Sequence, residues 1–173
     1  MATLEEILKE RDCRSALQAS LIEKYGYPLV VCTMNIPGPD KNNARIQAGF
    51  DKSMEAFSIK NEANLEKVLE RRLETGPEAY FIVTGGTNLL SLKRRLAFFE
   101  QTYPIGRLLD LDVKRLDGSP VSRKDINLGS RKCLLCHRPA KECARSQRHS
   151  IEELSAYMNE VLDRFLCKNH PWK

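Results

Sequence analysis

The stretch around which this chain is organised reads Gly106-Arg107-Leu108-Leu109-Asp110-Leu111-Asp112-Val113. Because the side chains of a β-strand alternate between faces, this stretch predicts two sets of side chains: Leu109, Leu111 and Val113 against Leu108, Asp110 and Asp112. Residues two apart on a strand are roughly 7 Å apart at the backbone, so both carboxylates can reach one hard cation or a pair of cations. The pattern indicates Mg²⁺ that also holds substrate phosphates. The alternative is a half-exposed strand with two solvated acids.

Length and composition are those of one ordinary globular domain. The chain has 173 residues, of which 42% are hydrophobic and 29% are charged, and this suffices for a full core. The N-terminus carries acids where a signal peptide needs basic and then apolar residues, and no run of 18 apolar residues occurs. We expect a single cytoplasmic domain, residues 1–173, without contact with a membrane. Its six cysteines are then thiols or metal ligands rather than disulfides.

The net charge of +5 is concentrated directly after the aspartate strand. Residues 114–148 contain ten Lys or Arg and three Asp or Glu, a local charge of +7, so the rest of the chain sums to −2. Such a cationic segment fits a polyphosphate substrate, an acidic protein partner or nucleic acid, and it can also be a solvated basic surface. Few aromatic residues lie among these cations, which argues against stacking on single-stranded nucleic acid.

Local signals predict the elements that precede the aspartate strand. A capping box at Thr3 begins a helix of about 20 residues that Gly26 ends. The apolar run 29–34 predicts a central strand covered on both faces. Helical spacing over residues 44–73 predicts one long helix, or two helices interrupted near 58–64, that end at Gly76-Pro77.

A second buried strand is predicted at residues 79–83. It is followed by the turn Thr84-Gly85-Gly86-Thr87-Asn88 and by a helix that carries Leu89, Leu92, Leu96 and Phe99 on one face. The order of strand, Gly-Gly turn, helix and aspartate strand is typical of nucleotidyltransferases, in which glycines let phosphate approach backbone amides. However, 23 residues separate Gly86 from Asp110, which is longer than the usual spacing. A second capping box at Ser150 begins a last helix with an apolar stripe that extends to Phe165.

The loop after the first strand reads Asn35-Ile36-Pro37-Gly38-Pro39-Asp40-Lys41. Two prolines and a glycine make it rigid, and a lysine at the carboxyl end of a buried strand is suited to holding phosphate. The simpler interpretation is a turn without a ligand.

A cysteine cluster follows with the spacing C-x2-C-x6-C-x5-H, formed by Cys133, Cys136, Cys143 and His149. Three thiolates and one imidazole are the ligands of a closed structural zinc site. His137 can replace His149, because spacing does not show ring orientation. Reduced free cysteines or a redox pair are the alternatives. The other cysteines, Cys13, Cys32 and Cys167, are predicted to be small core residues.

Four motifs together resemble the citrate lyase holo-acyl-carrier-protein synthase family. They are residues 33–41, residues 106–113, Ser122-Arg123, and the segment from Arg131 through Cys133, Cys136 and Cys143 to Ser150. The resemblance covers nearly the whole chain. It implies an apo-citrate lyase phosphoribosyl-dephospho-CoA transferase, which moves a phosphoribosyl-dephospho-CoA group from its triphosphate precursor to a serine of the acyl carrier subunit and releases diphosphate.

This chemistry requires charge neutralisation on the triphosphate more than covalent catalysis by the protein. We predict Asp110 and Asp112 as Mg²⁺ ligands, with Arg107 as a further catalytic residue. The residues predicted to bind substrate are Asn35, Lys41, Gly85, Gly86 and Arg123. No obvious third carboxylate completes a nucleotidyltransferase triad, although Asp117 and Asp125 are possible.

The expected fold is α+β or α/β, with a small mixed sheet, packed helices, a nucleotidyltransferase-like arrangement and a basic Cys-rich lobe at residues 114–149. Two alternative functions remain open. One is the corresponding synthase for malonate decarboxylase, and the other is a zinc-stapled module that binds nucleic acid.

Overall fold

The computed structural model describes residues 3–60 and 64–167. The elements within these residues are α1 (Leu4–Tyr25), β1 (Leu29–Met34), α2 (Ala44–Lys60), β2 (Leu65–Leu73), β3 (Gly76–Val83), α3 (Leu89–Thr102), β4 (Leu109–Lys114), α4 (Ala140–Arg145) and α5 (Ile151–Cys167). Two short 3₁₀ helices lie at Gly106–Leu108 and Lys124–Ile126. None of the helices in the described ranges is both long enough and apolar enough to cross a bilayer.

The four strands form one sheet in the order β2-β3-β1-β4. The prediction that the run 29–34 is a central strand is confirmed, since β1 pairs with β3 on one side and β4 on the other. The expected mixed sheet is wrong, because every pairing of these four strands is antiparallel. The fold is therefore α+β rather than α/β. A nucleotidyltransferase-like arrangement stays a prediction.

The segment 65–73 is a strand and not the predicted helix. β2 and β3 form a hairpin with a tight turn at Glu74 and Thr75. Leucines at 65, 69 and 73 fit a helical stripe, but an interval of four also keeps one face of a strand, so their spacing does not distinguish the two. Pairing with the fully buried β3 decides in favour of a strand. A register shift between Lys67 and Leu69 bulges β2 and turns its later side chains to the other face of the sheet.

The start of the aspartate strand also differs from the prediction. Gly106–Leu108 is a 3₁₀ turn, and the alternation begins only at Leu109. Leu108 is therefore fully buried in the core instead of sharing a face with the aspartates. A Cβ on Gly106 would lie 2.6 Å from the carbonyl oxygen of Phe99, so only glycine fits where this turn meets the end of α3.

Helices cover the two faces of the sheet unequally. Apolar residues of α2, α3 and α5 pack on one face with Val30, Cys32, Leu111 and Val113. The other face packs on α1 through residues of β1, β2 and β3 alone. The side chains that β4 presents on this second face therefore take no part in the apolar contact with α1. These side chains are Asp110, Asp112 and Lys114.

The predicted start and end of α1 and the predicted start of α5 are confirmed, whereas Gly76-Pro77 begins β3 and ends no helix. Thr3 caps α1 with a complete capping box, and Gly26 ends the helix in the left-handed conformation. In the second box, the backbone N–H of Glu153 donates to Ser150 Oγ at 3.1 Å, and that of Ser150 donates to Glu153 Oε2 at 2.8 Å. The stripe on α5 buries Met158, Leu162 and Phe165. The helix α4 was not predicted.

Candidate active site

The two aspartates of β4 share one face and are about half exposed. Their side chains have 49% and 53% of their surface accessible, for Asp110 and Asp112 respectively. Within the described residues, each carboxylate has one cationic side chain in long-range contact. Arg131 Nη2 lies 3.5 Å from Asp110 Oδ1, and Lys93 Nζ lies 3.5 Å from Asp112 Oδ1. These contacts are longer than direct charge-assisted hydrogen bonds, so oxygens of both carboxylates remain available for a cation.

β4 is an edge strand, and side chains satisfy its outward backbone groups. Glu100 Oε1 accepts from the Leu111 N–H at 2.9 Å, while Lys93 Nζ donates to the Leu111 carbonyl at 2.7 Å. Arg131 Nη2 donates to the Leu109 carbonyl at 2.8 Å. Because unpaired groups of an edge strand would otherwise be left open, these contacts protect the strand. They also fix the charged groups of Lys93, Glu100 and Arg131 beside the aspartates.

Glu100 is a third carboxylate of the site. Its side chain is 5% exposed, and it pairs with Arg131 Nη2 at 2.7 Å and with Arg123 Nη1 at 3.2 Å. The two acids considered from the sequence lie elsewhere. Asp125 pairs with Arg115 at 3.1 Å, and Asp117 accepts from the Ser119 N–H at 2.8 Å. Neither lines the cavity around the aspartates.

A cavity of about 570 Å³ opens over the aspartates, and we call it the aspartate cavity. Its charged lining consists of three carboxylates and five cations: Glu100, Asp110, Asp112, Lys93, Arg123, Lys124, Arg131 and Lys141. Asn35, Ser122 and Ser130 add neutral polar groups. Carboxylates that can share a hard cation, within a ring of basic side chains, suit a metal-bound polyphosphate.

The pKa of Asp110 is raised above its ordinary value. Partial burial is the largest cause and the charge of Asp112 is the next, while Arg131 acts in the opposite direction. The charge of Asp112 on the same strand face therefore disfavours the ionised form of Asp110. A bound divalent cation would relieve this repulsion, which is an independent reason to regard the pair as a cation site.

The structure brings only some of the predicted residues together. Arg123 lines the aspartate cavity and binds Glu100. Asn35 lines it too, and its backbone N–H donates to the Leu108 carbonyl at 2.7 Å. Arg107 lines a neighbouring cavity of about 390 Å³, and its guanidinium donates to the carbonyls of Lys132 and Cys133 at 2.8 and 2.9 Å.

The remaining predicted substrate residues lie outside the aspartate cavity. Lys41 Nζ donates to the Ile36 carbonyl within its own loop, and its burial lowers the pKa of its ammonium group. The Gly85–Gly86 turn follows the end of β3 that pairs with Leu29, whereas Asp110 pairs with Thr33 near the other end of β1. The fold thus separates this turn from the aspartates.

The four predicted zinc ligands converge. One ligand atom from each of Cys133, Cys136, Cys143 and His149 lies within 4.8 Å of the others. Nε2 of His149 is buried and has no hydrogen-bond partner within the described residues, which is expected of an atom that binds a metal. His137 is exposed and is not in this group. The cluster could therefore hold a metal such as zinc.

Two thiols of the cluster, those of Cys136 and Cys143, differ in pKa. Interaction with His149 is the main cause that lowers the pKa of Cys136 to about 6. Burial is the main cause that raises the pKa of Cys143 to about 11. Since metal-bound cysteines are thiolates, a cation would be needed to ionise both. Among the other cysteines, Cys32 is buried as predicted, but Cys13 and Cys167 are exposed and the core prediction for them is wrong.

The cysteine-containing part of the basic Cys-rich lobe, residues 131–149 and here called the cysteine lobe, lies directly beside the aspartate cavity. Arg131 lies two residues before Cys133, and its carbonyl accepts from the Ala140 N–H at 2.8 Å. Arg107, from the aspartate motif, holds the carbonyls of Lys132 and Cys133. A change in the lobe is therefore transmitted to the guanidinium that lies beside Glu100 and Asp110.

Sequence reasoning missed Lys93 and Glu100. Both lie within the otherwise apolar stripe of α3, and both are buried. Their separation of seven residues places them on the same side of a helix, two turns apart. Two opposite charges on the buried side of a predicted helix could have identified these residues from the sequence, because a buried charge requires a partner.

Comparison with known proteins identifies the family. The family model described as apo-citrate lyase phosphoribosyl-dephospho-CoA transferase matches residues 2–165. A probable transferase of this name from Vibrio cholerae is 37% identical over 168 residues, covering 95% of this chain and 94% of that protein. Another from Streptococcus pyogenes is 32% identical over 171 residues, covering 96% and 88%. Protein CitXG of Haemophilus influenzae is 38% identical over 155 residues, 88% of this chain and 33% of that protein.

These matches place the chain in a class of transferases that act on apo-citrate lyase. The chain belongs to the apo-citrate lyase phosphoribosyl-dephospho-CoA transferase family.

Proposed function

We propose that this protein transfers the phosphoribosyl-dephospho-CoA group from its triphosphate precursor to a serine of the acyl carrier subunit of citrate lyase. The observation that carries this proposal is the set of three carboxylates framed by basic side chains in the aspartate cavity, in a chain of this family. The serine hydroxyl loses its proton to solvent and its oxygen forms a bond to the α-phosphorus, while the bond between that phosphorus and the oxygen bridging to the β-phosphate breaks and diphosphate leaves.

Asp110 and Asp112 are the proposed Mg²⁺ ligands. Their shared face, their exposed oxygens and the raised pKa of Asp110 fit a divalent cation. When bound, Mg²⁺ would neutralise charge on the triphosphate and on the departing diphosphate. The carboxylates themselves fix its place on the edge strand. Glu100 faces Arg123 and Arg131 and holds these two guanidinium groups at the cavity wall.

The basic groups are proposed to orient the phosphates. Arg123, Arg131 and Lys93 are each anchored by a carboxylate or carbonyl of the protein, so little side-chain freedom is lost when an anion binds. Lys124 and Lys141 line the same cavity and are exposed to solvent. They would add positive potential at its mouth.

Zinc is the proposed metal of the cysteine cluster, with Cys133, Cys136, Cys143 and His149 as its four ligands. Four protein ligands leave no open coordination position, so the role is structural. The ion would supply folding free energy to a polar segment and hold Arg131 and Arg107 in place.

The test of the function is direct. The purified protein, the triphosphate precursor, Mg²⁺ and the apo-carrier subunit of citrate lyase are incubated, and the carrier is weighed by intact-mass spectrometry. We expect a mass increase equal to one phosphoribosyl-dephospho-CoA group, and none on a carrier whose acceptor serine is alanine. An unmodified citrate lyase carrier beside a modified malonate decarboxylase carrier would replace the proposal by its closest alternative.

The basic segment 114–148 is proposed to meet the carrier and the triphosphate. Affinity for the carrier should then weaken between low and physiological salt, because screening reduces attraction between exposed charges. Carrier binding that does not depend on salt concentration would contradict this role of the segment. Tight binding of random-sequence DNA at physiological salt would favour the nucleic-acid-binding alternative.

A further inference from the structure

A second cavity adjoins the aspartate cavity and is larger, at about 870 Å³. It lies between the loop after β1, the cysteine lobe and the beginning of α5, and we call it the lobe cavity. Its lining includes Pro37, Leu134, Ala144, Gln147, Arg148, Ile151 and Leu154. On its far side, Gly38 packs closely on α5, where an added Cβ would lie 3.2 Å from Ile151 Cγ2 and from Ser155 Oγ.

The two cavities share part of their walls. Asn35 and Ala140 line both of them. Asn35 is held by the bond from its N–H to the Leu108 carbonyl, and Ala140 by the bond from its N–H to the Arg131 carbonyl. A ligand with its phosphates in the aspartate cavity can therefore continue past these two fixed residues into the lobe cavity.

The lining of the lobe cavity is suited to an amphipathic group. Ile151 is 55% exposed, and it lines the cavity with Pro37 and Leu154. Arg148 is also exposed, and its guanidinium forms no ion pair with any residue that the structure describes. Two exposed carboxylates, Glu152 and Glu153, also line the cavity, and Glu153 accepts a hydrogen bond from the Ser150 N–H at 2.8 Å. Apolar side chains beside an arginine that forms no ion pair within the described residues fit a ligand that is mostly neutral but carries an anionic group.

The proposed substrate has such a part. Beyond the triphosphoribosyl end, it continues as dephospho-CoA, in which adenosine is joined through a diphosphate to a long pantetheine chain. We propose that the lobe cavity binds this dephospho-CoA portion and that Arg148 contacts its diphosphate. This inference rests on the proposed function and assigns a place to the half of the substrate that does not react.

The cysteine cluster would then also affect binding of dephospho-CoA. Cys133, Cys143 and His149 themselves line the lobe cavity. The cluster therefore shapes a wall of the binding site, and a cysteine variant should lose affinity for dephospho-CoA even in an assay that involves no transfer.

The test measures binding of dephospho-CoA to the full chain by titration calorimetry. Ala144→Trp fills the cavity from an exposed position, and Ala156→Trp, at an exposed position of α5 outside the lining, is the matched control. Ala144→Trp should weaken dephospho-CoA binding about tenfold or more, while binding of inorganic tripolyphosphate, titrated in the same way, stays within about twofold, since phosphates alone need only the aspartate cavity. The control should leave both unchanged.

Arg148→Ala is the second variant, and it should weaken dephospho-CoA binding while leaving pantetheine binding unchanged. A wild-type protein that does not bind dephospho-CoA would overturn the inference, as would folded Ala144→Trp and Arg148→Ala variants that bind it normally. These outcomes are separate from the proposed function, because the binding assay contains no carrier and no transfer. A protein that binds dephospho-CoA in the lobe cavity but modifies no carrier would refute the function and leave the cavity assignment intact.

Discussion

Arg131 and Glu100 form an ion pair, with Nη2 2.7 Å from Oε1, at the edge of the strand that carries the two aspartates. The same guanidinium also reaches the Leu109 carbonyl and Asp110. One arginine thus connects α3, β4 and the start of the cysteine lobe. Glu100 is the buried anion that holds it there, and the arrangement of the site depends on this pair.

Replacing Glu100 by Gln should lower both stability and transfer. Glutamine can still accept from the Leu111 N–H, but Arg123 and Arg131 lose their charged partner. Because hydrogen bonds to charged groups contribute about 2 kcal/mol each, we expect the free energy of unfolding to fall by at least about that amount. Denaturant unfolding and the transfer rate measure the two effects. Wild-type values for both would show that Glu100 does not position these arginines.

Asp110→Asn and Asp112→Asn should each lower the transfer rate about 100-fold or more, since each removes a proposed metal ligand and its stabilisation of charge in the transition state. Circular dichroism should show an unchanged fold, because both side chains are half exposed. Asp12→Asn, on the exposed surface of α1, is the control. A near-normal rate in either variant at saturating Mg²⁺ would remove that aspartate from the site.

The pKa of Asp110 should fall in Asp112→Asn, since the variant removes a like charge from the same strand face. The ionisation of Asp110 opposes folding, because its pKa is raised above the ordinary value of 3.8. This penalty is absent below pH 3.8, grows as the pH rises to the raised pKa, and is complete above it. Carbon-13 NMR of the aspartate carboxyl groups measures the shift. An unchanged pKa would show that Asp112 does not act on Asp110.

The purified protein, made without a metal-binding tag, should contain one zinc ion per chain. Cys136→Ser should lose this zinc, whereas Cys13→Ser, at an exposed cysteine outside the cluster, should keep it. Chelation should also lower the melting temperature, because zinc ligation contributes folding free energy. Elemental analysis decides the question. Fully active, metal-free protein with titratable thiols at Cys133, Cys136 and Cys143 would exclude a structural zinc.

Glu78→Gln should destabilise the attachment of α1 to the sheet. Glu78 is 1% exposed and accepts from Arg14, Arg71 and the Tyr80 hydroxyl. It also raises the pKa of Tyr80, where burial is the largest cause. Removing one member of a buried charged network costs about 3 kcal/mol, and denaturant unfolding measures this loss. Glu66→Gln, on an exposed position of β2, should change the stability by much less. Equal effects in the two variants would contradict the role of the network.

Features that depend on neighbouring residues in the chain were predictable from the sequence. Capping boxes at Thr3 and Ser150 set the helix starts, and the apolar run of β1 set a central strand, because these signals act through local hydrogen bonds and burial on both faces. The aspartate pair and the cysteine cluster were likewise predictable, since the residue types and their spacing along the chain indicate which side chains can act together.

Features that depend on contacts between distant segments required the tertiary structure. β2 was mistaken for a helix, because its leucine spacing fits both periods and only pairing with β3 distinguishes them. Spacing could not decide between His149 and His137 as the fourth member of the cysteine cluster. The structure selects His149, because its imidazole lies beside the three thiols. Glu100 belongs to the site because α3 packs along the edge of β4, where the Glu100 carboxylate contacts Arg131, which comes from a segment after β4. No local sequence pattern predicts this contact, because the edge of a strand acquires its hydrogen-bond partners only when the chain has folded.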